Sequence, residues 1–242
     1  MPDEPTLLSR QSKGYDYNKQ KLERLKDPDV LIIRNMFGKL LVQKFLKHMQ
    51  SMKSEFQQAE IKGSQGQNLK DKKIRNNTAL FLTQLFPGES ITSSVLGRNL
   101  VEAIQSGFLH QITNSSFYPI FDMATTNFSE IQVSRYGNAG QHYDWHIDRT
   151  LNNNQRWITL VYYFWKEPRR WKGGELGLTN GMTFNSKIIA QKPKPKIIKI
   201  RPENDMAVLF SSRTPHCVHN TISPNKFIDG RFSVNMWIGH VQ

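Results

Sequence analysis

The sequence predicts a mainly β domain, a barrel or sandwich of the jelly-roll kind, preceded by helices. From residue 128 onward, short β-branched and aromatic segments alternate with turns that contain Gly, Pro and Asn, which indicates about eight short strands. Ahead of them, apolar residues recur at helical spacing between residues 37 and 56, which predicts an amphipathic helix. A chain of 242 residues is long enough to bury one substantial core.

The individual elements follow from the same patterns. Residues 1–28 are polar and read as an arm or a short helix, and 30–34 are apolar enough for a buried strand. Residues 62–71 are expected to form a loop, 77–86 a short apolar element and 94–110 a second helix. The predicted strands are 130–136, 142–147, 157–164, 175–178, 196–200, 206–210, 216–220 and 232–238. We therefore expect an arm over 1–28 and one domain over 29–242, with its β core at about 128–240.

The charge balance points to acidic partners. The chain has 33 Lys and Arg against 20 Asp and Glu, a formal net charge of +13. Such an excess suits nucleic acid or an acidic substrate. Because no zinc-finger spacing, RNP-like aromatic motif or Walker loop accompanies the charge, nucleic acid is the less favoured partner.

Compartment and membrane attachment are also constrained. The single cysteine, Cys217, excludes a disulfide framework within the chain and fits a reducing compartment. The longest apolar runs are too short to span a bilayer, and the first residues lack the apolar core of a signal peptide. We therefore expect a cytoplasmic protein without membrane association.

A metal site is suggested by His146-Ile147-Asp148. In an extended strand, residues 146 and 148 share one face, with Cα atoms roughly 6.5 Å apart. An imidazole and a carboxylate at this spacing, completed by a distant histidine, form the two-His-one-carboxylate triad of non-haem Fe(II) oxygenases. The tripeptide alone is a weak signal, since such pairs are commonly ordinary hydrogen-bonded residues.

The ordered segments RYGNAGQHYDWHID, RWITLVYYFW, WKGGELGL, PENDMAVLF, PHCVHNT and RFSVNMWI resemble the prolyl 4-hydroxylase-like family of Fe(II)- and 2-oxoglutarate-dependent dioxygenases. The resemblance covers about residues 130–240. It implies a double-stranded β-helix, with the N-terminal helices packed on one sheet, and it implies that His146 and Asp148 bind iron.

The distal histidine ligand has two candidates. The segment from Phe210 to Val218 resembles the family's context for this ligand, which favours His216 over His219. The two differ in strand parity, so both cannot face one metal in a regular strand.

The resemblance also implies a co-substrate site. Arg231 is expected to grip the distal carboxylate of 2-oxoglutarate through paired hydrogen bonds, and Ser233 shares its strand face. Tyr136 and Tyr163 match positions where relatives contact 2-oxoglutarate, although buried tyrosines are also common core residues. Gly173-Gly174-Glu175-Leu176 matches the family's turn before the next strand.

The implied reaction hydroxylates an unactivated C–H bond with Fe(II), 2-oxoglutarate and O2, releases succinate and CO2, and uses ascorbate as a possible reductant. The favoured substrate is a prolyl residue in a protein or peptide. The alternatives are a free amino acid or small metabolite, and a non-catalytic binding protein of the same fold.

The surroundings of the site favour a peptide with acidic flanks. Residues 152–155 are expected to form a loop that suits a lid. Basic and aromatic residues expected near the barrel mouth are Trp145, Arg149, Arg156, Arg169, Arg170 and Lys172.

Overall fold

The computed structural model describes residues 20–62, 67–85, 128–180 and 196–239. These residues contain one α-helix, α1 (Lys39–Ser51), and many short strands. The strands are β1 (Lys21–Lys26), β2 (Asp29–Arg34), β3 (Gln57–Gln58), β4 (Ile61–Lys62), β5 (Asn68–Leu69), β6 (Arg75–Asn76), β7 (Thr78–Leu85), β8 (Phe128–Tyr136), β9 (Gln141–His146), β10 (Arg156–Phe164), β11 (Lys172–Gly173), β12 (Leu176–Leu178), β13 (Ile198–Ile200), β14 (Met206–Ser211), β15 (His216–Ile222) and β16 (Arg231–Gly239).

Two antiparallel sheets form the double-stranded β-helix that the sequence predicted. The major sheet has the order β1-β2-β14-β10-β16-β8-β7-β3, and the minor sheet has the order β13-β12-β15-β9-β6, with β11 also paired to β15. All eight predicted strands of the core are present, with ends within two residues of the predicted ones. The mainly β fold is therefore confirmed.

Strand β10 contributes side chains to two hydrophobic clusters, one on each face of the major sheet. Ile158, Leu160 and Tyr162 point into a cluster shared with α1, whereas Val161 and Tyr163 point into a second cluster with residues of the minor sheet. Side chains of a strand alternate between its two faces, so a strand buried on both sides must be apolar on both. This explains the nearly continuous apolar sequence of β10.

Helix α1 covers the outer face of the major sheet, as predicted, but is shorter than residues 37–56. Its start is fixed by Asp205, whose carboxylate accepts hydrogen bonds from the backbone N–H groups of Phe37 (2.9 Å) and Gly38 (2.7 Å). Gly38 has φ 82, a conformation that favours glycine. The helix ends at Ser51, and a short 3-10 turn follows over Lys53–Glu55.

Two local predictions were wrong. Lys21–Lys26, expected to be arm or helix, is strand β1 and pairs with β2 along its whole length. Its side chains are mostly exposed, so the sequence lacks the apolar alternation that marks a strand, and pairing with the buried β2 decides the conformation. The predicted loop over 62–71 contains β5, which pairs with β4. The predicted helix over 94–110 and residues 1–19 of the predicted arm lie outside the described residues.

His48 allows a prediction about stability. It lies on the buried face of α1, and neither ring nitrogen has a hydrogen-bond partner among the described residues. Burial lowers the pKa of His48 in the folded protein, so below about pH 6.5 the unfolded chain binds more protons than the folded one. The free energy of unfolding therefore decreases as the pH is lowered. We expect His48→Leu to raise the urea midpoint, with a larger gain at about pH 5.5 than at about pH 8.

His142 provides a control with the opposite sign. Backbone carbonyls at Gly140 and Lys73 raise the pKa of His142, so its contribution is present at low pH and is lost as the pH rises. His142→Gln should therefore produce no gain at low pH. An equal gain at both pH values for His48→Leu would contradict the assignment.

Candidate metal centre and co-substrate pocket

The pocket lies between the two sheets. Along β16, Phe232, Val234 and Met236 pack into the core shared with α1, so the alternate residues face the minor sheet. Those alternate residues, Arg231, Ser233, Asn235 and Trp237, line the pocket. The register therefore orders the pocket from Arg231 at one end to Trp237 at the other.

His146, Asp148 and His216 meet at the Trp237 end. Strand pairing aligns His146 with His216, and Asp148 follows the end of β9. The His216 Nε2 atom is 3.3 Å from Asp148 Oδ2, and the His146 Nε2 atom is 3.7 Å from Asp148 Oδ1. One potential ligand atom from each residue lies within 4.8 Å of the others. This donor set fits the two-His-one-carboxylate triad, and its role in binding iron stays a prediction.

A β-bulge shapes the wall beside His146. His146 pairs with His216 and Tyr143 with Val218, so three steps along β9 match two along β15. The extra residue places Tyr143 and His146 on the same face, where their rings stack at 3.6 Å with an interplanar angle of 16°. Regular alternation would have separated them.

Backbone carbonyls orient both histidines. The His146 Nδ1 atom lies 2.7 Å from the carbonyl of Asp144, and the His216 Nδ1 atom lies 2.9 Å from the carbonyl of Thr214. Each Nδ1 must carry the proton in order to donate to a carbonyl. Each Nε2 is then left with a lone pair for a metal ion, the usual arrangement around a ligating histidine.

Two hydroxyl residues that sequence reasoning missed hold the carboxylate. Thr159 donates to Asp148 Oδ2 at 2.7 Å, and its Oγ1 lies 2.9 Å from Ser212 Oγ. The Ser212 carbonyl accepts the backbone N–H groups of Asp148 and Arg149. These atoms come from separate segments of the chain, so no local sequence pattern predicts this hydrogen-bond network.

The electrostatics keep the donors in their ligand forms. Burial, reinforced by His216, lowers the pKa of His146 to about 3, so its ring is neutral at physiological pH. Burial would raise the pKa of the Asp148 carboxyl, but His216 and His146 outweigh it and leave that pKa below its usual range. A neutral imidazole beside a carboxylate is the state that binds a divalent cation.

His219 lies outside this cluster. Its backbone N–H donates to the carbonyl of Glu175, and its Nε2 atom is 4.0 Å from Cys217 Sγ. Cys217 and His219 do not line the pocket, whereas His216 and Val218 do. The structure thus places the favoured histidine, and not its alternative, with His146 and Asp148.

Loss of each histidine should have different consequences. We expect His216→Ala to lose bound iron and His219→Ala to keep nearly all of it, because only His216 directs Nε2 at the cluster. Bound iron is measured after anaerobic loading and removal of free metal. Iron retained by His216→Ala and lost by His219→Ala would mean that the other face of β15 carries the ligand.

Arg231 lies at the other end of the pocket and is fully buried, with 0% exposure. Its Nε, Nη1 and Nη2 atoms have no hydrogen-bond partner among the described residues. The rings of Tyr136 and Tyr163 flank its guanidinium, each with a centroid 4.8 Å from Cζ. A buried cation without a counter-charge is costly, so this end of the pocket suits an anionic ligand.

Further donors surround the same space. The hydroxyl groups of Tyr163 and Thr221 are buried and have no partner among the described residues. Burial raises the pKa of Tyr163 to about 12, so its phenol keeps its proton and can donate. Ser233 follows Arg231 by two residues on the same lining face. These groups fit the distal carboxylate of 2-oxoglutarate, and Thr221 is an addition that the sequence did not suggest.

Gly174 keeps this end open. It has φ 69, and a Cβ atom there would lie 2.9 Å from Arg231 Cδ and 3.1 Å from Thr221 Oγ1. Any larger residue would therefore press on the arginine and the hydroxyl. The predicted turn at Gly173-Gly174 thus also leaves room for the side chains of Arg231 and Thr221.

Arg75, also missed in the sequence, forms a side wall. Its guanidinium donates to Gln132 Oε1 (2.6 Å) and Asn77 Oδ1 (3.0 Å) and lies over the ring of Tyr143 at 4.6 Å. Since Tyr143 stacks on His146, this arginine supports the metal end of the pocket.

The residues expected near the mouth do not lie together. Arg156 is at the metal end, where its Cζ atom lies 4.0 Å from the centroid of the Trp237 ring. Arg169 donates to the carbonyls of Trp171 and Gly173, beside the Arg231 end. Trp145 does not line the pocket, and Arg170 and Lys172 are exposed.

Residues 152–155, the loop expected to suit a lid, form the end of a 3-10 turn, Leu151–Asn153, and a following turn.

No helix in the described part of the chain is long and apolar enough to cross a membrane.

The fold and this donor set define a class: a double-stranded β-helix with a site suited to non-haem Fe(II) and an anionic co-substrate. Residues 131–239 match the family model of the 2OG-Fe(II) oxygenase superfamily. Over these residues the chain is therefore similar to 2-oxoglutarate–Fe(II) oxygenase domains. This family uses Fe(II), 2-oxoglutarate and O2.

Relatives agree with this assignment. An uncharacterised PKHD-type hydroxylase from Synechocystis sp. is 37% identical over 111 residues, which are 45% of this chain and 35% of that protein. This chain therefore matches only about a third of the curated relative.

Solved structures show the same fold. A prolyl hydroxylase from Trichoplax adhaerens, in complex with a hypoxia-inducible-factor peptide fragment, superposes with a TM-score of 0.60 at 20% identity, covering 87% of this chain and 83% of that one. A prolyl-4-hydroxylase from Pseudomonas putida gives 0.55 at 16% identity, covering 88% and 93%.

Proposed function

We propose that this protein hydroxylates a prolyl residue of a protein or peptide, using Fe(II), 2-oxoglutarate and O2, and releases succinate and CO2. The observation that carries the proposal is the pairing, in one pocket, of the His146–Asp148–His216 cluster with the uncompensated cation of Arg231. A metal triad at one end and an anion site at the other suit a co-substrate that chelates a metal and ends in a carboxylate.

The residues of the chain have separate tasks in this reaction. His146, His216 and Asp148 hold Fe(II), with their orientation set by the carbonyls of Asp144 and Thr214 and by the hydroxyl of Thr159. When bound, Fe(II) with 2-oxoglutarate and O2 supplies the oxidising power: one oxygen atom enters succinate and the other enters the substrate C–H bond.

The pocket itself controls position and water. Arg231 and Tyr163 bind the distal carboxylate, so the keto-acid end is held toward the triad. Val161 and Leu176 line the middle of the pocket and keep water from it. No side chain of the pocket needs to act as a general acid or base.

A peptide substrate is supported by the Trichoplax relative, which was solved with a peptide fragment. We further propose that the protein works in the cytoplasm, and that ascorbate restores Fe(II) after turnovers that fail to reach substrate.

The test offers proline-containing acidic peptides and free L-proline to protein loaded with Fe(II) and 2-oxoglutarate. We expect succinate and a mass gain of one oxygen on a peptide, with label from 18O2 in the product. Turnover of free proline with none of the peptides would replace the proposal with a small-metabolite hydroxylase. If ascorbate has the proposed role, omitting it should shorten activity without changing the initial rate.

A further inference from the structure

The segment that follows the metal ligand is fastened to the segment that precedes His216. The backbone N–H groups of Asp148 (3.0 Å) and Arg149 (2.9 Å) both donate to the carbonyl of Ser212. Arg149 and Arg213 are the next residues of the two segments. Arg149 and Arg213 are therefore held next to each other, and Arg149 directly follows the proposed iron ligand Asp148.

An aromatic ring lies beneath Arg149. The Arg149 Cζ atom is 4.6 Å from the centroid of the Trp157 ring, and Trp157 is 41% exposed. Strand β10 has an irregularity between Arg156 and Ile158, and Arg156 packs on Trp237 of the pocket lining. Trp157 thus directly follows Arg156, which reaches the metal end of the pocket. Leu151, 97% exposed, stands on the adjoining turn.

The charge of this pair is uncompensated. Arg24, Arg34 and Arg156 each have a carboxylate partner at 2.6–3.0 Å. Within the described ranges, no carboxylate lies within ion-pair distance of Arg149 or Arg213. Because the backbone contacts to Ser212 hold the two segments together, Arg149 and Arg213 present like charges next to each other, and like charges repel. An anion between them would relieve that repulsion.

We propose that Arg149, which lies over Trp157, and the neighbouring Arg213 bind an acidic side chain of the peptide substrate. This inference rests on the proposed function and specifies its substrate. A peptide strand advances about 3.3–3.6 Å per residue, and an arginine side chain spans roughly two such steps. The acidic residue therefore lies two or three positions from the residue that reaches the iron. Leu151 and Trp157 offer apolar surface to the residues between.

A scan of peptides tests the position of the acidic group. Each fluorescent peptide has one central proline and a single Asp moved stepwise along it, with Asn in the same place as its partner. Binding is measured by anisotropy on protein loaded with Fe(II) and 2-oxoglutarate without O2. We expect Asp two or three positions from proline to bind about tenfold more tightly than Asn, and the advantage to shrink as salt rises.

Variants assign the effect to the pair. Arg149→Glu and Arg213→Glu should lose the preference for Asp and prefer Lys at the same position, while Arg149→Gln should lose it without reversal. Arg170→Glu makes the same change of charge on an exposed loop residue and should keep the preference. The reversal to Lys cannot come from a variant that has merely unfolded.

The outcomes separate this inference from the proposed function. Equal binding of Asp and Asn peptides at every position overturns the acidic subsite, even if the peptides are hydroxylated. A position-dependent preference for Asp that needs Arg149 supports the subsite, even if no proline is hydroxylated and the proposed reaction falls. Competition by a single-stranded oligonucleotide as strong as that by the Asp peptide would overturn it, because the pair would then be a nucleic-acid contact.

Discussion

Asp148→Ala is expected to abolish iron binding and 2-oxoglutarate turnover while the protein remains folded. Asp148 supplies the only carboxylate of the described cluster, and its charge holds the divalent cation against two neutral imidazoles. Changes around metal ligands typically cost 10–100-fold, so loss of a ligand should leave less than about 1% of the activity. Anaerobic iron loading and succinate formation measure the two effects.

Asp144→Ala is the matched control. Its exposed side chain accepts a hydrogen bond from the backbone N–H of Trp145, the one such bond among the described residues, whereas its carbonyl, which the change keeps, orients His146. We expect near-normal iron content and turnover for this variant. Circular dichroism and the urea midpoint show whether Asp148→Ala has kept its fold. Full turnover by folded Asp148→Ala would refute the metal assignment.

Thr159 shows why part of this site was not predictable from the sequence. His146 and Asp148 stand two residues apart, so a strand alone brings them together. Thr159 reaches Asp148 only because β10 and the end of β9 are adjacent in the fold. As one of several β-branched residues in a buried strand, it carries no sign of that role.

The same contrast applies to the strands. Strand β16 alternates core residues with pocket residues, and the sequence already placed Arg231 and Ser233 on one strand face. The bulge that brings Tyr143 beside His146 depends on register with β15, and register is a property of the pair. Strand β1 likewise forms because its backbone pairs with the neighbouring strand β2.

Arg231→Leu is expected to weaken 2-oxoglutarate binding and, at the same time, to stabilise the metal-free protein. Removing one partner of a buried charge-assisted pair costs on the order of 2–5 kcal/mol of binding free energy. The apparent 2-oxoglutarate requirement should therefore rise at least tenfold, at about 1.4 kcal/mol per decade. Within the described part of the chain, however, the same guanidinium is buried with no partner for its three nitrogens, and leucine removes that penalty.

Arg135→Leu separates this effect from the loss of any buried arginine. Arg135 is 7% exposed, donates to the carbonyl of Phe227 at 2.9 Å and lies outside the pocket. Its replacement should lower the melting temperature and leave the 2-oxoglutarate requirement unchanged.

Thermal melts with and without 2-oxoglutarate measure both sides of the prediction for Arg231. A ligand at 100 times its dissociation constant stabilises the native state by about 2.7 kcal/mol, so wild type already loaded with Fe(II) should melt higher when 2-oxoglutarate is added. Arg231→Leu should start from a higher melting temperature and gain little from the same addition. A variant that melts lower and still gains the full shift would place the carboxylate anchor on another residue. A variant that melts higher and loses the shift would show that the cost of burying Arg231 unpaired is recovered when the co-substrate binds.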